Sequence, residues 1–282
     1  MKGMFIDMKK ILSLILALSL LASLTIGCAP KEEAAPAAAE NEKETVLKVG
    51  ATPIPHAEIL EVVKPLLEKK GIKLEVIVFN DYVQPNTALA DKELDANFFQ
   101  HQPYLDNFNK ERGLNLVSAA KVHVEPLGLY SKKINSIAEL KDGSTIAIPD
   151  DATNNARSLL LLQENGIIKL KDGGSISSSE NDVVENPKNL KFQAIEAAQL
   201  PRILEDVDAA IINTNFAIPA NLNPVKDALL IEDGNSPYAN TLVIRGGDEG
   251  REDLKELSNA LNSPEVKKFI EEKYEGAIIA AY

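Results

Sequence analysis

The stretch L-D-A-N-F-F-Q-H-Q-P-Y-L, Leu94 to Leu105, crowds Phe98, Phe99, His101 and Tyr104 among Asn97, Gln100 and Gln102. Neither the alternation of a half-buried strand nor the 3.6-residue period of an amphipathic helix holds over its length. A strand from Leu94 to Phe98 or Phe99, followed by a helix that starts at Pro103, resolves the conflict. The residues between then lie at a strand's carboxyl end, where open α/β sheets hold their ligands. Phe98 is expected in the core, and Phe99, His101 and Tyr104 are expected on the wall of a cleft.

Strand-like and helix-like segments alternate on both sides of this stretch. KVGA and KLEVIVF read as strands around the helical AEILEVVKPLLEKKG, whose Ile59, Val62, Val63, Leu66 and Leu67 share a face. Gly71 can end that helix, and Pro65 interrupts its pattern. Further along come STIAIPD, SLLLLQENG, KFQAI and VDAAIIN. Strands separated by helices imply βαβ units and mainly parallel sheets. Leu94-Asp95-Ala96 after the helical TALADKE is echoed by Val207-Asp208-Ala209 after LPRILED, once in each half of the body. Two similar α/β lobes follow, with a small-molecule cleft between them. The residues just beyond each echo, Gln100 and His101 in one lobe and Asn213 and Asn215 in the other, are cleft candidates.

The N-terminus is read as an address. Lys9 and Lys10 precede a run of 16 apolar or small residues, Ile11 to Ile26, with Gly27 before the only cysteine, Cys28. That run is shorter than the ~20 residues of a membrane-spanning helix, so residues 1–27 read as a signal peptide. Either Met1 or Met8 fits as its start. Residues 28–45, rich in Ala and Glu, carry too little apolar surface to fold and read as a flexible tether. Losing residues 1–27 removes three Lys and one Asp and leaves 27 basic against 41 acidic residues, a charge of −14. Nucleic acid is excluded as a partner by the lack of a basic excess.

Nothing in the spacing announces catalysis. His56, His101 and His123 are 45 and 22 residues apart, without an HExxH pattern, although with a carboxylate they can converge on zinc. No GxSxG stands out, and GDEG at Gly247 reads as a turn. Binding is better served. In DDATNNARSLLLLQENG, Asp151 or Thr153 can cap a helix that Gly166 ends. Arg157 falls in or near its first turn, against the helix dipole, where a bound carboxylate would explain it. A surface pair with Asp150 or Asp151 is the plainer alternative. Phe79 and Tyr82 in FNDYVQPN sit at a strand end, either as pocket walls or as core rings. Asn240 in SPYAN starts a strand, as a turn residue or as an amide for a polar ligand.

FNDYVQPN, LDANFFQHQPYL, YSKKI, SLLLLQENGIIKLKDG, VVENPKNLK, QLPR, IINTN and SPYAN occur in this order through the mature body. Together they resemble the NlpA-type lipoproteins, methionine-binding components of bacterial ABC importers. Leu24-Thr25-Ile26-Gly27-Cys28 likewise resembles a lipobox, with Thr25 where Leu is usual. The resemblance implies a two-lobed periplasmic-binding-protein fold. Lobe 1 would span residues 46–127 with about 240–282 returning to it, and lobe 2 residues 128–239. It implies no enzymatic activity, no cofactor and no metal. It implies capture of L- or D-methionine, delivery to a permease with its ATPase, and a lipid anchor on Cys28 at the extracytoplasmic face of a bacterial cell membrane. The site it implies comprises Phe79, Tyr82, Phe99, His101 and Tyr104 around the side chain and Asn154, Arg157, Asn213 and Asn240 around the head group. Another amino acid, a short peptide, zinc, or an exported enzyme on the same scaffold remain the alternatives.

Overall fold

A computed structural model describes residues 45–233 and 237–282. The signal peptide, most of the tether and Cys28 lie outside these residues. Strand β1 (Thr45–Ala51) begins at Thr45, so the last residue assigned to the tether belongs to a sheet.

Lobe 1 is a six-stranded sheet. Besides β1 it contains β2 (Ile72–Val78), β3 (Ala96–His101) and β4 (Leu116–Val124), and the chain returns to it late with β12 (Ala239–Arg245) and β13 (Ile279–Ala280). The order is β13-β4-β12-β3-β1-β2. Lobe 2 is a five-stranded sheet of β5 (Gly128–Tyr130), β6 (Thr145–Pro149), β9 (Lys191–Ile195), β10 (Ala209–Ile212) and β11 (Leu230–Ile231), ordered β11-β5-β10-β6-β9. A two-stranded ribbon, β7 (Lys169–Leu170) with β8 (Val183–Glu185), stands apart from both sheets.

Both sheets are mixed rather than mainly parallel. β1 pairs in parallel with β2 and β3, and β6 with β9 and β10, where a crossover reverses the chain. β12 and β13, which arrive after the second lobe is finished, add antiparallel neighbours in lobe 1, and β5 and β11 do so in lobe 2. The chain thus crosses between lobes twice, after Val124 and again between Ile231 and Ala239.

Helix α1 (Glu58–Glu68) buries Ile59, Leu60, Val63 and Leu67 and leaves Pro65 on its exposed side. It packs with α7 (Glu252–Leu261) and α8 (Pro264–Tyr274), and Leu254, Leu257 and Ile270 join Leu47, Val49, Phe98 and Leu242 in the first core. Each such side chain contributes about 1.5–3 kcal/mol by leaving water. Helix α4 (Ala152–Glu164) covers one face of the second sheet, where Leu159 and Leu162 meet Ile146, Ile148 and Ile211. The other face packs Ala147, Ala210 and Ile212 on Leu200 and Leu204. Strands covered on both faces have no apolar alternation to show. The segment LPRILED, expected as helix, begins inside a 3₁₀ stretch, Ala197–Ile203, that contains Pro201, and ends in a turn. Proline withholds the N–H that an α-helical turn requires.

The echo between the lobes has a structural meaning. Asp95 accepts the backbone N–H of Lys48 on β1 at 2.9 Å, and its own N–H donates to Lys48 O. Asp208 does the same with Thr145 on β6, at 2.8 Å. In each lobe the aspartate ties the start of one strand to its parallel neighbour, β3 to β1 and β10 to β6.

β3 explains why the aromatic stretch kept no period. All six of its residues are buried, and opposite it Leu242 faces Phe98 while Thr241 faces Gln100, so that Phe99 is a bulge. A bulge re-aims the side chains beyond it. Asn97 and Gln100 therefore share a buried amide network with Asn86, bonded at 2.6 to 2.9 Å, in helix α2 (Gln84–Ala90). Phe98 stays in the core, and Phe99 joins Tyr104 and Phe108 of α3 (Gln102–Arg112).

Candidate functional site

The carboxyl end of β3 and the start of α3 supply the first wall of a cleft between the lobes. Phe99, Gln100, His101 and Tyr104 line it, and Tyr82 enters from the turn after β2. The rings of Tyr82, Phe99 and Tyr104 stand 5.8 to 6.0 Å apart, centroid to centroid, in tilted and edge-on pairs. His101 caps α3, its Nδ1 accepting the Tyr104 N–H at 3.2 Å. Burial, and secondly the charge of Arg157, lower its pKa to about 3, so the ring is neutral. With Nδ1 accepting, Nε2 carries the proton and donates across the cleft to Asn154 Oδ1 at 3.1 Å.

Lobe 2 supplies the polar wall. Asp151 caps α4 by accepting the Asn154 N–H, while Thr153 donates its hydroxyl to Asp151. This closes the helix start that the sequence offered to an anion. Arg157 is the sixth residue of α4, just past its first turn, and it is 3 % exposed. Its partner is neither Asp150 nor Asp151. Its Nε donates to Glu232 Oε1 at 2.9 Å and its Nη2 to the Glu125 carbonyl at 2.8 Å, with Nη2 also on Glu232 Oε2. The guanidinium lies over the Tyr238 ring, 4.3 Å from its centroid. Nη1 takes part in none of these bonds. Where β10 turns into the short helix α5 (Thr214–Ala217), Asn213, Thr214 and Asn215 reach the cleft. Asn213 donates to Asn154 Oδ1 at 3.0 Å, and Thr214 donates to the Pro126 carbonyl. Among the described residues, Asn213 Oδ1 and Asn215 Nδ2 are buried polar atoms without a hydrogen-bond partner. One accepts and the other donates, as an amino-acid head group requires.

The cleft gathers Tyr82, Phe99, His101, Tyr104, Asn154, Arg157, Asn213 and Asn240. Phe79 is not brought there. It packs half-buried beside Ala88, Leu89 and Leu94 and borders the more open depression outside Tyr82. Its ring lies against Gly50 of β1, where an added Cβ would meet it at 3.0 Å. Gln100 and Asn215, which the echo pointed to, do line the cleft.

Glu125 and Thr214 line it as well, and no motif named them. Glu125 directly follows β4, at the first crossing between lobes, so the strand-end rule that singled out His101 applies to it equally. It is 6 % exposed, and burial pushes its carboxyl pKa up against the opposing pull of His56 and Arg157. His123 Nε2 lies 2.8 Å and His56 Nε2 3.2 Å from its Oε1. Of the expected convergence of histidines on a carboxylate, His56 and His123 meet at Glu125, while His101 is engaged elsewhere with Asn154. His56 also reaches Asn240 Oδ1 at 3.1 Å.

No helix among the described residues is long and apolar enough to cross a membrane. A D-methionine-binding lipoprotein MetQ from Salmonella typhi is 46 % identical over 239 residues, covering 84 % of this chain and 88 % of that one. The protein of the same name from Escherichia coli K12 is 44 % identical over the same length and shares. A nutrient-binding protein from Burkholderia cenocepacia, solved bound to methionine, is 48 % identical and superposes with a TM-score of 0.81 over 84 % of this chain and all of that one. The profile described as NlpA lipoprotein matches residues 47–282. Sequence and fold agree, and the chain belongs to the NlpA lipoprotein family.

Proposed function

We propose that this protein is a substrate-binding lipoprotein that captures methionine between its lobes and passes it to an ABC importer. The observation that carries this reading is the composition of one cleft, in which a cluster of rings adjoins a cation, a carboxylate and unpartnered amide groups. A thioether gains roughly 0.3–1.5 kcal/mol from each aromatic neighbour, which suits Tyr82, Phe99 and Tyr104 to the side chain. Nη1 of Arg157 faces the ligand carboxylate in this reading, helped by Asn215 Nδ2. Glu125 and Asn213 Oδ1 accept from the ammonium, and His101, Asn154 and Asn240 hold the frame. Phe79 supports the wall from behind. Since ligand contacts come from both lobes, occupancy favours the closed form.

In the same reading residues 1–27 are a signal peptide and residues 28–45 link a lipidated Cys28 to lobe 1 (46–127 and 240–282) and lobe 2 (128–239). The anchor keeps the receptor on the extracytoplasmic side of the membrane, beside a permease driven by an ATPase. One acyl chain would hold it only marginally, so two or more are expected. Calorimetric titration of ligand-stripped protein with L-methionine, D-methionine, other amino acids and zinc is the test. Saturable heat with a methionine enantiomer is expected, and no heat with either one sinks the proposal.

A further inference from the structure

Behind the cleft lies a buried device that the binding reading leaves without a task. His56, in the turn Pro53–Ala57 after β1, and His123, on β4, are both fully buried. Their rings meet the ring of Phe98 edge-on, with centroids 4.7 and 5.3 Å from it, and stand 5.0 Å from each other. Both Nε2 atoms converge on one oxygen of Glu125, Oε1, at 3.2 and 2.8 Å. Thr52 Oγ1 lies 2.7 Å from His56 Nδ1. A hydroxyl donating to Nδ1 leaves Nε2–H as the donor to Glu125 and, in the same direction, to Asn240 Oδ1. Glu125 Oε2 takes part in neither histidine contact.

We infer that His56 and His123 are positioning residues which clamp Glu125 Oε1 and present the rest of that carboxylate to the cleft as the acceptor of a ligand's α-ammonium group. The inference rests on the reading of the cleft as an amino-acid site and adds its specificity rule. Two neutral donors on a single oxygen stabilise the anion without supplying a countercharge, and Arg157, whose fork is spent on Glu232 and the Glu125 carbonyl, makes no ion pair with this carboxylate, so the ligand brings the cation that completes the site. Ligands with a free α-amino group are selected, and desamino or N-acylated thioether acids are rejected, because they leave the carboxylate buried and unpaired. A metal at the same three side chains is the competing use of the cluster. Here the carboxylate oxygen sits at hydrogen-bond distance from both nitrogens, as it does between two donors.

The test compares methionine with 4-(methylthio)butanoate, which lacks only the amino group, by calorimetry on ligand-stripped protein. Wild type is expected to bind methionine and to discriminate strongly against the desamino acid. His123→Leu and His56→Leu remove a donor and should weaken methionine about 10- to 100-fold, with little change for the desamino acid. His123→Gln, whose amide N–H reaches roughly where Nε2 lies, should restore much of the discrimination. Equal losses for both ligands, or unchanged discrimination, overturn the positioning role while leaving methionine binding intact. No methionine heat from wild type overturns the cleft reading itself and this inference with it. Should the Leu variants fail to fold, nitrogen-15 NMR of wild-type imidazoles decides: both rings should be neutral Nε2–H tautomers at pH 7, and an Nδ1–H form at either is incompatible with the clamp. Zinc titrated into chelator-treated protein should give no heat, and stoichiometric zinc binding lost in the His variants would make the cluster a metal site instead.

Discussion

Tyr82 of lobe 1 donates its phenolic proton to Asn215 Oδ1 of lobe 2 at 2.6 Å, closing the cleft above the ring cluster. The hydroxyl is buried, its pKa is raised well above the usual value chiefly by that burial, and it therefore stays protonated as a donor. The bond from His101 to Asn154 is a second side-chain link across the cleft lining.

Removing that link with Tyr82→Phe keeps the ring and deletes the latch. Methionine affinity should fall by about 0.5–1.5 kcal/mol, the net worth of one hydrogen bond. Calorimetry measures the loss, and small-angle scattering should show a larger open fraction in the variant without ligand. Unaltered affinity and unaltered dimensions would assign the bond to packing alone.

Arg157→Ala strips the proposed ligand contact and the partner of Glu232. Affinity should drop by about 1.5–3 kcal/mol, the scale of a hydrogen bond to a charged group. Stability should fall too, because Glu232 loses its countercharge. Lost stability with intact methionine binding would show that the arginine serves only the fold. Lysine is no substitute, since a single ammonium cannot make the paired contacts of the guanidinium fork.

Stability should decline as the solution is acidified below neutrality. Burial lowers His56 from 6.5 to about 4, and His101 and His123 to about 3. Unfolding restores the ordinary values, so between these limits the unfolded chain binds more protons and gains on the native state as the pH falls. Glu125 and Asp151 act with the opposite sign, because burial raises both carboxyls and their contribution is lost as pH rises. Three histidines against two carboxyls leave a net uptake of one proton or more near pH 5. Each net proton is worth about 1.4 kcal/mol per pH unit. Urea titrations at pH 7 and pH 5 measure the slope, and a flat or inverted profile contradicts the assignment of neutral histidines.

The paired aspartates make a prediction about the fold. Asp208→Ala frees the Thr145 N–H and should destabilise the protein by about 1–2 kcal/mol. Asp95→Ala loses the equivalent bond to Lys48 together with an ion pair to Arg251, and should cost at least as much. Denaturation midpoints compare the two, and a neutral Asp208→Ala would remove the equivalence between lobes.

Cys28→Ser should abolish labelling by radioactive fatty acid and release the protein from membranes. Persistent labelling would place the acyl group elsewhere.

Much of the fold was legible because its signals are local. The apolar face of α1, the capping Asp151 and the left-handed Gly166 after α4 each follow from neighbouring residues. The echo around Asp95 and Asp208 was legible as a repeat, although its hydrogen bonds join strands far apart in sequence. What escaped depends on pairing. β12 and β13 make the first sheet largely antiparallel only because the chain comes back from the other lobe. Likewise Phe79 and Tyr82 are three residues apart on one strand-to-helix turn, yet only Tyr82 turns into the cleft. Glu232 was invisible for the same reason, and Glu125 was marked only by its place at a strand end; each acquires meaning from Arg157, 75 and 32 residues away in the chain.

The two passages of chain between the lobes carry Glu125 on the way out and Glu232, Tyr238 and Asn240 on or near the way back. All four touch Arg157, the cleft lining, or both. In the proposed reading, residues beside both crossings between the lobes therefore also form part of the site that receives the ligand. A molecule seated there does not need to signal its presence through intervening layers of structure. Under that proposal it acts at the crossings themselves, where a change in one contact reaches both lobes at once.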